Sequence, residues 1–208
     1  MEKMLDKDLS IVDENEKLIA NILHDIKSPL YSIKIAINSH LDTELNNDIY
    51  ETTASILDYI ENFLVCYSFK KGKFENKIEP CNLKELIHKK IQNYKYILKN
   101  KNIEIDIIET GQNYIINNIP IFVSSIIGNL ISNIAFHASE GKRAVIEINR
   151  NKDQIFMNFV NEYNSDTNDF SLGLDFCRTL AEICKIELRF TKTKKEVKVY
   201  VKIPNLSC

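Results

Sequence analysis

Apolar residues recur every three or four positions through the first third of the chain. One stripe runs Ile19, Ile22, Ile26, Leu30, Ile33, Ile37 and Leu41, and a second runs Leu45, Ile49, Thr53, Ile56, Ile60, Phe63 and Tyr67. Each lasts about three heptads, which marks bundle or coiled-coil helices rather than helices lying on a larger core. Only a polar break around His40, Asp42 and Thr43 separates the two stripes, so the spacing predicts antiparallel neighbours. Two helices cannot bury two such stripes between them. A dimer closing into a four-helix bundle is the economical solution.

The pattern changes after the polar connector 70–82, where the expected domains, 1–71 and 72–208, meet. Helical spacing returns over 83–99, followed by a strand-like run at 103–108 and a long apolar helix at 119–138. Alternating positions then predict paired strands at 144–150 and 154–163 around the turn 151–153. A helix at 172–184 and a hairpin of 187–193 with 197–203 close the chain. The predicted class is α+β: a helical hairpin followed by a two-layer α/β sandwich.

Charge narrows the functions. The 27 basic and 29 acidic residues give a formal charge of −2, without the basic surplus of a nucleic-acid binder. The short basic runs at 70–73 and 192–195 read as solvated loop charge. The stretch 110–139 holds no Asp, Glu, Lys or Arg, yet its asparagines and proline are too polar for a membrane span. Neither nucleic acid nor membrane is an expected partner. The first ten residues lack the apolar core of a signal peptide. Five cysteines without a CxxC pair argue against zinc and a disulfide framework, which fits a reducing cytoplasm. Glycine is scarce, with five in 208 residues against about 7% in average usage. That scarcity is compatible with helix content or codon bias, or with the loss of a glycine-dependent phosphate site.

The segment His24-Asp25-Ile26-Lys27-Ser28-Pro29-Leu30 carries the most chemistry. At about 100° per residue, His24 lies about 200° from Ile22 and Ile26, and Ser28 about 40° from His24. An imidazole and a hydroxyl thus share the polar face, just before a proline that costs a helix interior about 3 kcal/mol.

This heptapeptide resembles the H-box of bacterial two-component sensor histidine kinases: His, an acid, two variable residues, Thr/Ser/Asn, then Pro. The order of elements along nearly the whole chain is similar too. The resemblance implies a dimerising helix pair followed by the ATP-binding sandwich shared with gyrase and heat-shock-90 proteins. It makes His24 the phospho-accepting position and Asp25 the adjacent base of the kinase step. Ser28 takes the position that orients water when such proteins dephosphorylate a response regulator.

The segment Asn129-Leu130-Ile131-Ser132-Asn133 is similar to the family's N-box, with Asn133 where an asparagine would coordinate Mg²⁺. A plain helix-bridging role for Asn129 and Asn133 is the alternative. The glycine boxes depart further. Where the family has Asp-x-Gly-x-Gly, this chain has Asn161 in place of the acid and Tyr163 in place of the first glycine. A lid of some twenty residues shrinks to 165–170, and Gly173 is the one glycine left in the next motif. Asn129, Asn133, Asn161 and Gly173 are thus the expected remnants of a nucleotide site. ATP is not expected to bind tightly, no resident metal is expected, and Mg²⁺ would be supplied at the response regulator.

The expected function is that of a cytoplasmic response-regulator phosphatase, homodimeric through the hairpin, with His24, Asp25 and Ser28 at its catalytic face. Three alternatives stay open: a relay protein that passes phosphate through His24, an active kinase with an atypical ATP site, and a non-catalytic partner that only binds the regulator.

Overall fold

A computed structural model describes residues 19, 23, 26–28, 30–35, 44–71, 77–162 and 171–206. Contacts divide the chain into two units, Met1–Glu75 and Asn76–Cys208.

In the first unit every described position between 19 and 35 is helical, and these positions form α1. The next helix, α2, spans Glu44–Lys70. The Lys34 ammonium sits 5.3 Å from the centroid of the Tyr50 ring, while Lys27 and Tyr31 reach Glu61. Early residues of α1 meet late residues of α2, so the pair runs antiparallel, as the short break predicts. The buried face of α2 is Tyr50, Thr53, Ala54, Leu57, Ile60 and Tyr67. Thr53, Ile60 and Tyr67 of the stripe read from the sequence are buried as expected, while Tyr50 and Leu57 take the place of two of its isoleucines. Ile49 and Ile56, assigned to it, are 39% and 40% exposed. The apolar arc of α2 is wider than one neighbouring helix can cover, and the hairpin takes the side carrying Tyr50 and Leu57. On α1, Ile19, Ile26 and Ile33 are also exposed.

The second unit opens with β1 (Glu79–Asn82), α3 (Leu83–Asn93) and α4 (Lys95–Asn100). Asn82 caps α3: its side-chain oxygen accepts from the Glu85 N–H, and its amide donates to the Glu85 carboxylate at 2.7 Å. The single helix expected over 83–99 is broken at Tyr94. That ring is buried edge-on against Phe136 at 6.0 Å, and fixing it there turns the chain. Two short strands follow, β2 (Glu104–Thr110) and β3 (Ile115–Asn118), and then α5 (Pro120–His137). The antiparallel pairing of β1 with β3 was hidden inside two stretches that read as connector and loop.

The main sheet has the order β2-β4-β5-β7-β6, completed by β4 (Arg143–Asn151), β5 (Gln154–Glu162), β6 (Glu187–Lys192) and β7 (Glu196–Pro204). Only β2 and β4 run parallel, joined by the crossover through α5. Strict alternation decides which face is dry: Ala144, Ile146, Ile148, Ile155, Met157, Phe159, Val199, Val201 and Ile203 point inward and are buried. The last helix, α6 (Ser171–Ile183), packs beside α5 with α3 on the other flank. By length and composition α5 is apolar enough to cross a membrane, but 61% of it is buried inside this layer. It is the core helix of the sandwich.

Two features tie this architecture back to composition. Positions of left-handed backbone are held by Asn102, Asn113, Lys152 and Lys185, with φ between 51° and 60°. Lys185 closes a Schellman turn after α6, with the Ile186 N–H donating to the Ala181 carbonyl at 2.8 Å. Asn102 does the same after α4. Part of the glycine shortage thus lies in turns. Cys177 and Cys184 are both fully buried thiols, as their seven-residue spacing suggests. Burial pushes the Cys184 thiol up to about 12 and the Cys81 thiol up to about 11.

Lys185→Gly is expected to raise the stability of the sandwich by about 0.5–1 kcal/mol, since relief of left-handed strain outweighs the added chain entropy of glycine. Urea unfolding of the two proteins measures it. For the thiols the sign follows from the raised values: the folded state keeps protons that the unfolded state releases above about pH 8.5. The thiol contribution to stability is flat below that pH and falls as pH rises through 9 toward 11. Iodoacetamide labelling at pH 8, followed by mass spectrometry, should leave Cys81 and Cys184 unmodified until denaturant is added.

Candidate functional site

The helix carrying the sequence motif presents Ser28 as an exposed residue. Its carbonyl accepts a hydrogen bond from the Ser32 hydroxyl one turn on, at 3.2 Å, a side-chain bond just after a proline that has no N–H to give. His24 and Asp25 lie outside the described residues. Around Ser28, the flanking Lys27 and Tyr31 both turn toward α2. Lys27 Nζ is 3.0 Å from Glu61 Oε1, and the Tyr31 hydroxyl donates to the same oxygen at 2.6 Å. Burial and then the adjoining Glu61 carboxylate hold the Tyr31 hydroxyl well above the usual phenol range. Glu61 was missed in the sequence. Its only signal there is a carboxylate set between the apolar Ile60 and Phe63.

On the sandwich side, the placement of α5 decides the geometry. Pro120 occupies its first turn, where a missing N–H is harmless. Asn118, fully buried just before it, has every polar atom engaged. Its Oδ1 accepts from the Ile119 N–H at 2.8 Å, while its Nδ2 donates to the carbonyls of Cys184 and Pro204, each at 3.3 Å. One amide thereby ties the start of α5, the end of α6 and the end of β7. Asn118 was also missed, although an asparagine before Ile-Pro at a helix start is a legible sign.

Asn129 and Asn133 sit one turn apart on α5. Asn129 is buried, and its Nδ2 donates to the Ser125 carbonyl four residues back at 2.9 Å. Asn133 is half-buried and faces β5 across a cavity that Asn161 also lines. Asn161 is buried, with its Nδ2 3.4 Å from the Glu162 carbonyl. The structure therefore brings Asn133 and Asn161 together and leaves Asn129 folded against its own helix. Gly173 falls in the first turn of α6. Tyr163 and the shortened lid at 165–170 lie outside the described residues.

The cavity measures about 80 Å³, and its walls are mostly apolar, with Leu130, Ile134, Phe159 and Val199 among them. That is roughly half the ~150 Å³ in which an engineered dry cavity takes up benzene. Apart from the two asparagines, Thr191 and Lys192 bring polar atoms, and no carboxylate is among the lining residues. Among the described residues no cluster of His, Cys, Asp and Glu could hold a metal ion.

Comparison with known proteins agrees with this layout. No protein-family model matches the chain. It is 26% identical over 163 residues to the sensor protein KdpD of Clostridium acetobutylicum, a match covering 72% of this chain but 18% of that much longer protein. The histidine kinase AdeS of Acinetobacter baumannii superposes with a TM-score of 0.62 at 12% identity, over 86% of this chain and 95% of AdeS. Full-length ShkA, solved in complex with AMPPNP, gives 0.63 at 13% identity, over 92% of this chain and 46% of ShkA. The catalytic domain of the histidine kinase ThkA gives 0.55 at 15% identity, over 62% of this chain and 97% of that domain. The sandwich is the histidine kinase ATPase-type fold. By sequence the chain is similar to a sensor protein, and by fold to histidine kinases.

Proposed function

We propose that this chain works on a response regulator as an aspartyl-phosphate phosphatase and has given up ATP-dependent autophosphorylation. The observation that carries the reading is the α5–β5 cavity. Two neutral amides, Asn133 and Asn161, converge where the family resemblance calls for a metal-binding asparagine and an adenine-binding acid. The remaining walls are mostly apolar. A kinase needs triphosphate, Mg²⁺ and acceptor positioned together. The residues that line this cavity do not fit that requirement.

Phosphatase chemistry asks less of this chain. The exposed Ser28 hydroxyl accepts a hydrogen bond from one water, or donates one to its oxygen, and lines that water up with the phosphorus of the regulator's acyl phosphate. Water forms the new P–O bond while the bond to the aspartate carboxylate breaks, which releases inorganic phosphate and a free carboxylate. The Mg²⁺ that neutralises this charge belongs to the regulator. By the same resemblance His24 is the phospho-accepting position and Asp25 the adjacent acid.

The reading also includes a homodimer in the cytoplasm. Exposed Ile19, Ile26 and Ile33 on α1, with Ile49 and Ile56 on α2, supply the apolar surface a second hairpin would cover.

Purified protein incubated with γ-labelled ATP and Mg²⁺ should acquire no label. With a receiver domain that binds it, charged beforehand by acetyl phosphate, it should speed loss of the acyl phosphate, and Ser28→Ala should slow that loss about 10-fold or more. Label appearing on His24 from ATP overturns the proposal. Phosphate moving from the regulator and remaining on His24 favours the relay instead.

A further inference from the structure

The Lys27–Glu61–Tyr31 group has no part in the chemistry just described, yet it lies beside it. Two donors from α1, four residues apart, converge on a single oxygen of α2. Lys27 also lies 5.7 Å from the centroid of the Tyr31 ring, so each of the three side chains meets the other two. The ion pair is about one third exposed on each side. Exposed pairs of this kind add little to stability, whereas two charge-assisted bonds on one oxygen define an orientation sharply.

Orientation is what this segment lacks. A proline has no N–H to give within a helix, and the Ser32 hydroxyl is spent on the Ser28 carbonyl. On a helical wheel Lys27 and Tyr31 are about 40° apart, and Ser28 lies about 100° from Lys27. With both donors held against α2, the Ser28 hydroxyl is kept on the flank of the hairpin, facing outward. A turn of α1 by about 20° would carry that hydroxyl about 1 Å or more along the surface. Misplacement by about 1 Å is enough to cost a large factor in rate.

We infer that Glu61 is a positioning residue: by gripping Lys27 and Tyr31 together it sets the rotation of α1 and thereby aims Ser28 at the water. The inference rests on the phosphatase reading, and it assigns to α2 a share in a reaction otherwise assigned to the segment 24–28.

The test uses the full chain and a receiver domain charged with acetyl phosphate. Glu61→Gln and Tyr31→Phe should each lower kcat about 10-fold while KM for the phosphorylated receiver stays within twofold of wild type. The exchanged pair Lys27→Glu with Glu61→Lys should recover a good part of the loss suffered by either single change. Amide hydrogen exchange supplies a readout independent of turnover: protection of residues 30–35 should fall in Glu61→Gln while that of the sandwich strands is unchanged. Unaltered kcat in these variants, or unaltered exchange at 30–35, overturns the role of Glu61 and leaves the phosphatase reading standing. A wild-type chain without turnover overturns that reading and the positioning role with it.

Discussion

The sandwich depends on one buried carboxamide. Asn118 is sealed from water, and an unmet amide there would cost about 1–3 kcal/mol. Its solution is to serve three backbone segments at once: the N–H that begins α5 and the carbonyls of Cys184 and Pro204. Those segments lie 66 and 86 residues further along the chain. They meet because α5 must start there, with Asn133 then placed a fixed number of turns along it and opposite Asn161. The location of the cavity follows from this junction. The chemistry inside it follows from local side chains.

That division lets the residues lining the cavity vary while the histidine kinase ATPase-type sandwich is kept. The core is a matter of apolar packing: Phe122, Ile126, Ile127 and Leu130 of α5 are inserted against the inward rows of β4, β5 and β7. Of these four, Leu130 also lines the cavity, while Phe122, Ile126 and Ile127 do not. Asn161 is buried without placing a charge at a dry position. Selection can relax on one face of the site without weakening the scaffold.

The elements that could be read from the sequence were those governed by period alone. Strands β4, β5 and β7 alternate cleanly, and α5 is a continuous apolar run bounded by a proline. The rest turns on tertiary circumstances. β1 and β3 are four-residue strands that exist because they pair with each other, and one of them contains Pro80. The break at Tyr94 comes from an aromatic contact made 42 residues away in sequence, at Phe136. On α2 the apolar arc could face either side, and only the partner helix chose between Ile49–Ile56 and Tyr50–Leu57. The pairing of Asn133 with Asn161 was foreshadowed by motif order, whereas Glu61 carries no motif and becomes visible only when α1 lies beside α2.

The junction at Asn118 bears also on how the protein is made. Beyond Pro204, the Leu206 N–H donates to the Asn117 carbonyl, the Asn205 side chain accepts from the Asn117 N–H, and the Asn205 N–H reaches the Asp153 carbonyl. Residues near 205 thus stitch together the root of α5 and the β4–β5 turn. During synthesis the hairpin of α1 and α2 emerges first and can pair locally, since its contacts span short stretches of chain. The sandwich cannot lock until the ribosome has delivered residue 206, so its half-built core waits exposed while the helices are already formed. A cell making this protein therefore holds, for the length of that wait, a finished helical hairpin joined to an unfinished domain.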